Sequence, residues 1–366
     1  MMIVKPDFYD KFICIAKDCD FTCCQEWKIA VDDDTADKWK QTQTPEGTKS
    51  RRKRLEQFTQ YKDGTRVISL ENHVCPFLNE DKLCRLVMQY GDEMLSETCQ
   101  VFPREKHEFG ERVEHTLMPC CPAVVDLLNE SKKFSLIESG LEHQNNLLFR
   151  IRGLLMEIVA DENMSCEEAM LVVFYIASEF HRDANLTVEC ARGAIGQILD
   201  TIKGMSFDRI ETYNECYELF LDLTENYCRE GMYSQYLEAA MNDVRELENA
   251  DCYDDEFEQE WDRFQPLFHK FLAQEIYADT VNHDYEISDM VIRTQWIGLE
   301  YALIRHLCFI YFKTKGKLEY QQVRSYIVLV SRMMGYEEDD IYEYLENCFE
   351  EMVWEWGYFA LVIGNK

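Results

Sequence analysis

Cys14-Ile15-Ala16-Lys17-Asp18-Cys19-Asp20-Phe21-Thr22-Cys23-Cys24 places four cysteines within 11 residues of a 366-residue chain. Five more follow before residue 122: Cys75, Cys84, Cys99 and the pair Cys120-Cys121. Nine of the 16 cysteines therefore fall in the first third. The chain opens Met1-Met2-Ile3-Val4-Lys5-Pro6, with no basic start and long apolar core, so no export signal is read. Disulfides are not expected of a reducing compartment, and thiols this dense suit a metal site instead. Cys19, Cys23 and Cys24 offer donors on one short segment, and Cys75, Cys84, Cys99 and Cys121 return from later turns. Thiolates are soft donors for zinc or for iron–sulfur clusters, and spacing does not separate the two.

Composition frames this reading. The net charge is −31, and it is uneven. Residues 1–130 carry 18 Lys and Arg against 24 Asp and Glu, leaving 20 against 45 for the remainder. Such acidity repels phosphate backbones, so nucleic acid is not expected as a partner. A basic protein surface is a better match, although acidity also simply keeps a chain in solution. The longest apolar run, Trp296 to Phe312, contains Glu300, Arg305 and His306, so no membrane span is expected. We read a soluble, cytoplasmic protein.

The chain divides near residue 130. Residues 1–130 are expected to form a cysteine-rich, metal-cluster-stabilised, irregular domain of short strands and helices. One helix is predicted over Asp33 to Lys40, capped near Asp33 or Asp34. A mobile loop is predicted over Thr42 to Arg54, a strand over Arg66 to Leu70, and a tight turn that returns Cys84 toward Cys75. Residues 131–366 are expected to form an acidic, all-helical bundle, so the fold class is mainly α. Helical periodicity covers Phe134 to Ala160. Ser165-Cys166-Glu167-Glu168 is a capping box that opens the next helix. Further helices are predicted over 186–203, 207–229, 232–248, 254–277, 287–313, 318–334 and 338–350, with Gly204, Gly231 and Gly335 at joints.

Several residues carry competing readings. Cys166, Cys190, Cys216, Cys228, Cys252, Cys308 and Cys348 are scattered singly and read as small packed residues. His73, His107 and His115 lie near cysteines in sequence, where a surface or supporting role outweighs ligation. Arg104 is read either beside a cluster or in a structural ion pair. Trp27 reads as a core anchor, and the Asp32-Asp33-Asp34 run as a helix start. Lys49 to Arg54 is the one basic run, too short for a nucleic-acid surface. No hydrolase elbow, P-loop or G-x-G-x-x-G is present.

The residues carry a resemblance beyond composition. Phe12 to Ile29 is similar to the opening of the flagellin lysine-N-methylase (FliB-type) family. Val31-Asp32, Cys75-Pro76-Phe77-Leu78, Leu83-Cys84, Leu95-Ser96-Glu97-Thr98-Cys99, Phe102-Pro103-Arg104 and Cys121-Pro122 follow in that family's order. A looser likeness is to cysteine-rich proteins with zinc- or iron-chelating domains. The resemblance implies methyl transfer from S-adenosylmethionine to lysine ε-amines of flagellin or another lysine-bearing protein. It implies a bound [4Fe-4S] cluster, with zinc as the alternative. Carried over residue by residue, the implied metal ligands are Cys14, Cys19, Cys23, Cys24, Cys75, Cys84, Cys99 and Cys121, with Cys120 a spare. No catalytic or S-adenosylmethionine-binding residue is nominated. The other readings are a zinc-stabilised, non-catalytic interaction module and an iron–sulfur redox protein.

Overall fold

A computed structural model describes residues 1–62, 64–140, 146–246, 252–334 and 355–364. The amino-terminal third consists of short elements. They are β1 (Met2–Pro6), α1 (Asp33–Gln41), β2 (Thr59–Lys62), β3 (Thr65–Ile68), α2 (Arg85–Tyr90) and α3 (Glu97–Val101). β4 (Arg104–Phe109), β5 (Arg112–Leu117) and α4 (Pro122–Glu130) follow. After β6 (Leu136–Ser139) the chain becomes helical: α5 (Leu147–Val159), α6 (Cys166–Arg182), α7 (Val188–Lys203), α8 (Arg209–Glu230) and α9 (Ser234–Glu246). The last helices are α10 (Asp255–Asp262), α11 (Gln265–Asp279), α12 (Ile287–Lys315), α13 (Tyr320–Met334) and α14 (Trp356–Ile363). The protein is mainly helical, and no helix among the described residues is long and apolar enough to cross a membrane.

Local signals account for many of these boundaries. Asp32, one residue before the expected caps, accepts from the Thr35 N–H at 2.8 Å and starts α1. The Ser165 capping box opens α6 as its pattern predicts. Gly231 closes α8 at φ +71°, a conformation that disfavours side chains. The stretch 254–277 is not one helix: Pro266 lacks an N–H and sits in the first turn of α11, so α10 ends before it. The predicted helix over 338–350 and the joint at Gly335 lie outside the described residues.

Two further expectations are corrected. Phe134 to Ala160 is not helical throughout. Leu136 to Ser139 pairs antiparallel with β1, Val4 facing Glu138, and a helix begins only at Leu147. The sheet runs β4-β5-β1-β6, with β1 parallel to β5. Strand pairing with a distant segment overrides the local helical period there. Nor is Thr42 to Arg54 an open loop. Its ends pair Gln43 with Arg54, and the Thr44 N–H donates to the Lys53 carbonyl at 2.9 Å. Its basic side chains serve the protein itself: Arg54 donates to the Lys40 carbonyl and Arg52 lies over the Phe58 ring.

Two hydrophobic cores flank the cysteines. The larger runs from Phe8 to Ile363 and draws on both sides of residue 130. Its axis is α12, buried on nearly every face and packed against α6, α8, α9, α13 and α14. Gly298 permits the approach of α14, because a Cβ there would run into the Phe359 ring. The smaller core has Trp39, Phe58, Phe77 and Leu86 at its centre, with Cys75 buried among them.

Candidate metal centre

Each cysteine of the first third is placed by a short, well-bonded segment. The Cys75 N–H donates to the Cys24 carbonyl at 2.7 Å, which joins the first run to the second. The Asn79 side chain accepts from the Asp81 and Leu83 N–H groups at 2.9 and 2.8 Å. This closes the predicted turn and bridges Cys84 back to Leu78. Cys84 and Cys121 are the N-caps of α2 and α4, and Cys99 sits in the first turn of α3 below its Ser96 cap. Helix starts expose N–H groups that favour negative charge, so these thiols are placed where thiolates are stabilised.

All eight predicted ligands line one cavity of about 680 Å³. Cys14, Cys19, Cys23 and Cys24 come from the first run, Cys75, Cys84 and Cys99 from the small core, and Cys121 from the start of α4. Cys120, set aside in the sequence reading, is buried but is not among the lining residues. Arg104 and Lys82 also reach the cavity.

Burial and hydrogen bonding pull these thiols in opposite directions. Burial pushes Cys75 and Cys84 up, Cys99 to about 11 and Cys121 to about 12. Backbone N–H groups act against it: Phe77 at Cys75, Leu86 and Val87 at Cys84, Ala123 and Val124 at Cys121. Burial likewise raises Cys19, with the Phe21 N–H opposing. The hydrogen bond between Cys23 and Cys24 brings Cys23 down to about 7, with Arg332 assisting, and holds Cys24 up. Burial thus opposes ionisation of most of these thiols, and a bound metal cation would offset it.

That chemistry fits a thiolate-bound metal group. The donors are soft, they line one space, and backbone N–H groups act on Cys19, Cys75, Cys84 and Cys121. Among the described residues no three His, Cys, Asp or Glu side chains already converge on a single ion. The fit is therefore one of donor set and space.

The helical part grips the first cysteine run through its backbone. Every carbonyl from Cys19 to Cys24 accepts a hydrogen bond. Lys82 serves Cys19 at 2.9 Å, and Tyr236 of α9 serves Asp20 at 2.9 Å. Arg332 of α13 serves Phe21 and Thr22, both at 2.9 Å. Trp27 serves Cys23 at 2.6 Å, and the Cys75 N–H serves Cys24. Tyr236 stacks on Phe21 with ring centroids 4.2 Å apart. The Tyr233 N–H and hydroxyl both bond Glu26, which holds a left-handed φ of +70°. Arg324 pairs with Asp20 and Asp126 at 2.5 and 2.8 Å. Sequence reading missed Arg332, Arg324, Tyr233 and Tyr236, since nothing in a helical pattern signals which loop it will meet.

The remaining candidates fall into place around this site. His107 and His115 do not line the cavity; they pair with Glu105 at 3.9 Å and with the Tyr9 hydroxyl at 3.5 Å. His73 offers its carbonyl to the Glu26 N–H. Arg104 stacks on Phe12, 4.8 Å from the ring centroid, at the cavity wall. Trp27 packs on Phe102 and on the small core, as an anchor. Of the scattered cysteines, Cys166, Cys216 and Cys308 are buried, Cys252 is half-buried, but Cys190 and Cys228 are exposed. Cys348 lies outside the described residues.

Residues 152–362, more than half of the chain, match the model of the FliB lysine N-methylase C-terminal domain. A lysine-N-methylase of Salmonella typhimurium is 29% identical over 145 residues, covering 39% of this chain and 36% of that protein. A flagellar biosynthetic protein FliU of Salmonella muenchen is 28% identical over 151 residues, covering 40% of this chain and 89% of that protein. The chain thus aligns with about a third of the length of the first of these relatives. No solved structure matches. On the match over its helical part, the chain belongs to the FliB lysine N-methylase family.

Proposed function

We propose that the protein is a lysine N-methyltransferase that moves a methyl group from S-adenosylmethionine to lysine ε-amines of a protein substrate. Flagellin is the favoured substrate, on the names of the relatives. The observation that carries the reading is the ring of eight cysteines around one cavity, in a chain of the FliB family. Those cysteines would hold a [4Fe-4S] cluster, with thiolates as ligands to iron. When bound, a cluster would supply iron that could coordinate an incoming molecule wherever a protein thiolate is absent or displaced.

The transfer itself is simple to balance. A lysine amine has an ordinary pKa near ~10.4 and must shed a proton before it can act. Its lone pair then attacks the sulfonium methyl carbon, and the carbon–sulfur bond breaks with its electron pair passing to sulfur. The products are a methylated amine and S-adenosylhomocysteine. A buried wall assists deprotonation by disfavouring the ammonium form.

The test is intact-mass measurement of flagellin after incubation with the anaerobically purified protein and S-adenosylmethionine. The expected result is a mass gain in steps of one methyl group, absent without S-adenosylmethionine. Unmodified flagellin together with an unmodified panel of lysine-rich proteins would overturn the enzyme reading.

A further inference from the structure

The eight cysteines share a cavity, but they do not share a core. Cys75 is buried in the small core, and Cys24, Cys84 and Cys99 pack against it. Cys121 belongs to the large core. Phe12 and Phe21, which flank Cys14 and Cys19 in sequence, are buried in that same large core. Arg332 of α13 acts on Cys19 and Cys23. The cavity wall is therefore two walls, one from each packing unit.

The two walls differ in what they need. The small core contains only ten buried residues. A core of that size supplies little stability alone, and small domains usually add disulfides or a metal. Its cysteines are drawn from Cys24, a turn, and the starts of two helices of six and five residues. Helices that short are marginal without an external tie. A metal bound to Cys24, Cys75, Cys84 and Cys99 would fasten four separate segments of this unit. The other wall is already held by the large core and by the carbonyl contacts of Arg332 and Tyr236. Of its cysteines Cys14 is exposed, Cys19 and Cys23 are half-buried and Cys121 is buried.

We propose that the cavity holds two centres, one on Cys24, Cys75, Cys84 and Cys99 and one on Cys14, Cys19, Cys23 and Cys121. The first staples the small core. The second sits on the seam with the helical bundle, where the exposed Cys14 is the ligand that an incoming molecule can displace from metal. This assignment rests on the reading that the cysteines bind a metal group, and it divides their labour into structure and reaction.

Single Cys→Ser variants of the full chain, purified anaerobically, test it. Iron, acid-labile sulfide and zinc per chain are measured with Mössbauer spectra and thermal unfolding. The wild type is expected to hold metal for two centres. Cys75→Ser and Cys99→Ser should each lose about half of it and melt at clearly lower temperature. Cys19→Ser and Cys121→Ser should lose the other half, with a melting temperature close to the wild type. If Cys75→Ser fails to fold, Cys84→Ser and the wild-type stoichiometry carry the same decision. A single centre, removed equally by Cys19→Ser and Cys75→Ser, would overturn the partition and leave the cluster reading intact. Two centres' worth of zinc without sulfide would keep the partition and overturn the cluster.

Discussion

Arg332 donates from Nε to the carbonyl oxygen of Cys120 at 3.0 Å, while its two terminal nitrogens serve the carbonyls of Thr22 and Phe21. One guanidinium thus joins α13, the first cysteine run and the turn before Cys121. Its plane lies over the Phe21 ring, 4.3 Å from the centroid. Arg332→Lys keeps the charge but lacks the planar fork, so it can serve only part of this set. We expect a loss of about 3 kcal/mol from buried carbonyls left unpaired. Urea denaturation measures the loss, and metal analysis should show a lower content in the variant. An unchanged midpoint and full metal would refute the clamp.

Cys120 tests the ligand set from the other side. It is buried beside Cys121 yet does not line the cavity. Cys120→Ala should retain the wild-type metal content and lose only about 1 kcal/mol of stability from a small void. Metal analysis on the purified variant decides the point. A variant stripped of metal would return Cys120 to the list of ligands.

Arg305 should be far less tolerant. It is buried in α12 between two buried carboxylates, paired with Glu258 and 3.5 Å from Glu167. Glu167 also accepts from the Tyr301 hydroxyl at 2.5 Å and the Trp261 indole at 3.0 Å. Arg305→Met leaves those charges without their cation, and breaking such a pair costs about 3–5 kcal/mol. The expected outcome is a marked fall in the denaturation midpoint or insoluble protein. The double variant Arg305→Met with Glu258→Gln should recover part of the loss.

Glu300 predicts a pH dependence. Burial raises its carboxyl from 4.5 to about 8, the Ser331 hydroxyl pulls it back, and Asp279 adds to the rise. Glu275 and Asp279 of α11 are raised as well, chiefly by burial. A carboxyl whose folded value is raised keeps its proton in the native state and loses it first in the unfolded one. Its contribution is complete below pH 4.5 and is lost as pH rises through about 8. Glu300→Gln mimics the protonated form and can still accept from Ser331. Its thermal stability should therefore fall less than that of the wild type between pH 5 and pH 8.5. Parallel profiles would show that Glu300 is ionised in the folded protein.

Helix after helix was legible from residue spacing. The capping box at Ser165 and the periodicity of α6, α7, α8, α12 and α13 are local, and local rules suffice for them. The break before α11 was missed in the helix predicted over 254–277, although Pro266 is the local signal for it. β6 was not legible. Leu136 to Ser139 has an ordinary helical period, and only its partner β1, more than 130 residues away, makes it a strand.

The same division holds for the candidate site. Eight cysteines of a recognisable order can be named from sequence alone, since thiol chemistry and local turns are properties of short segments. That they all face one cavity is decided by the packing of two cores against each other. Arg332, Tyr233 and Tyr236 hold the first run in place, and their helices carry no mark of it. Hydrogen bonds to backbone carbonyls ask nothing of the partner's side chain, so the partner leaves no trace in the residue pattern. The sequence by itself determined the donors and most of the helices. The tertiary structure decided which donors meet, because closing a loop on a helix some 300 residues away depends on the whole packed core.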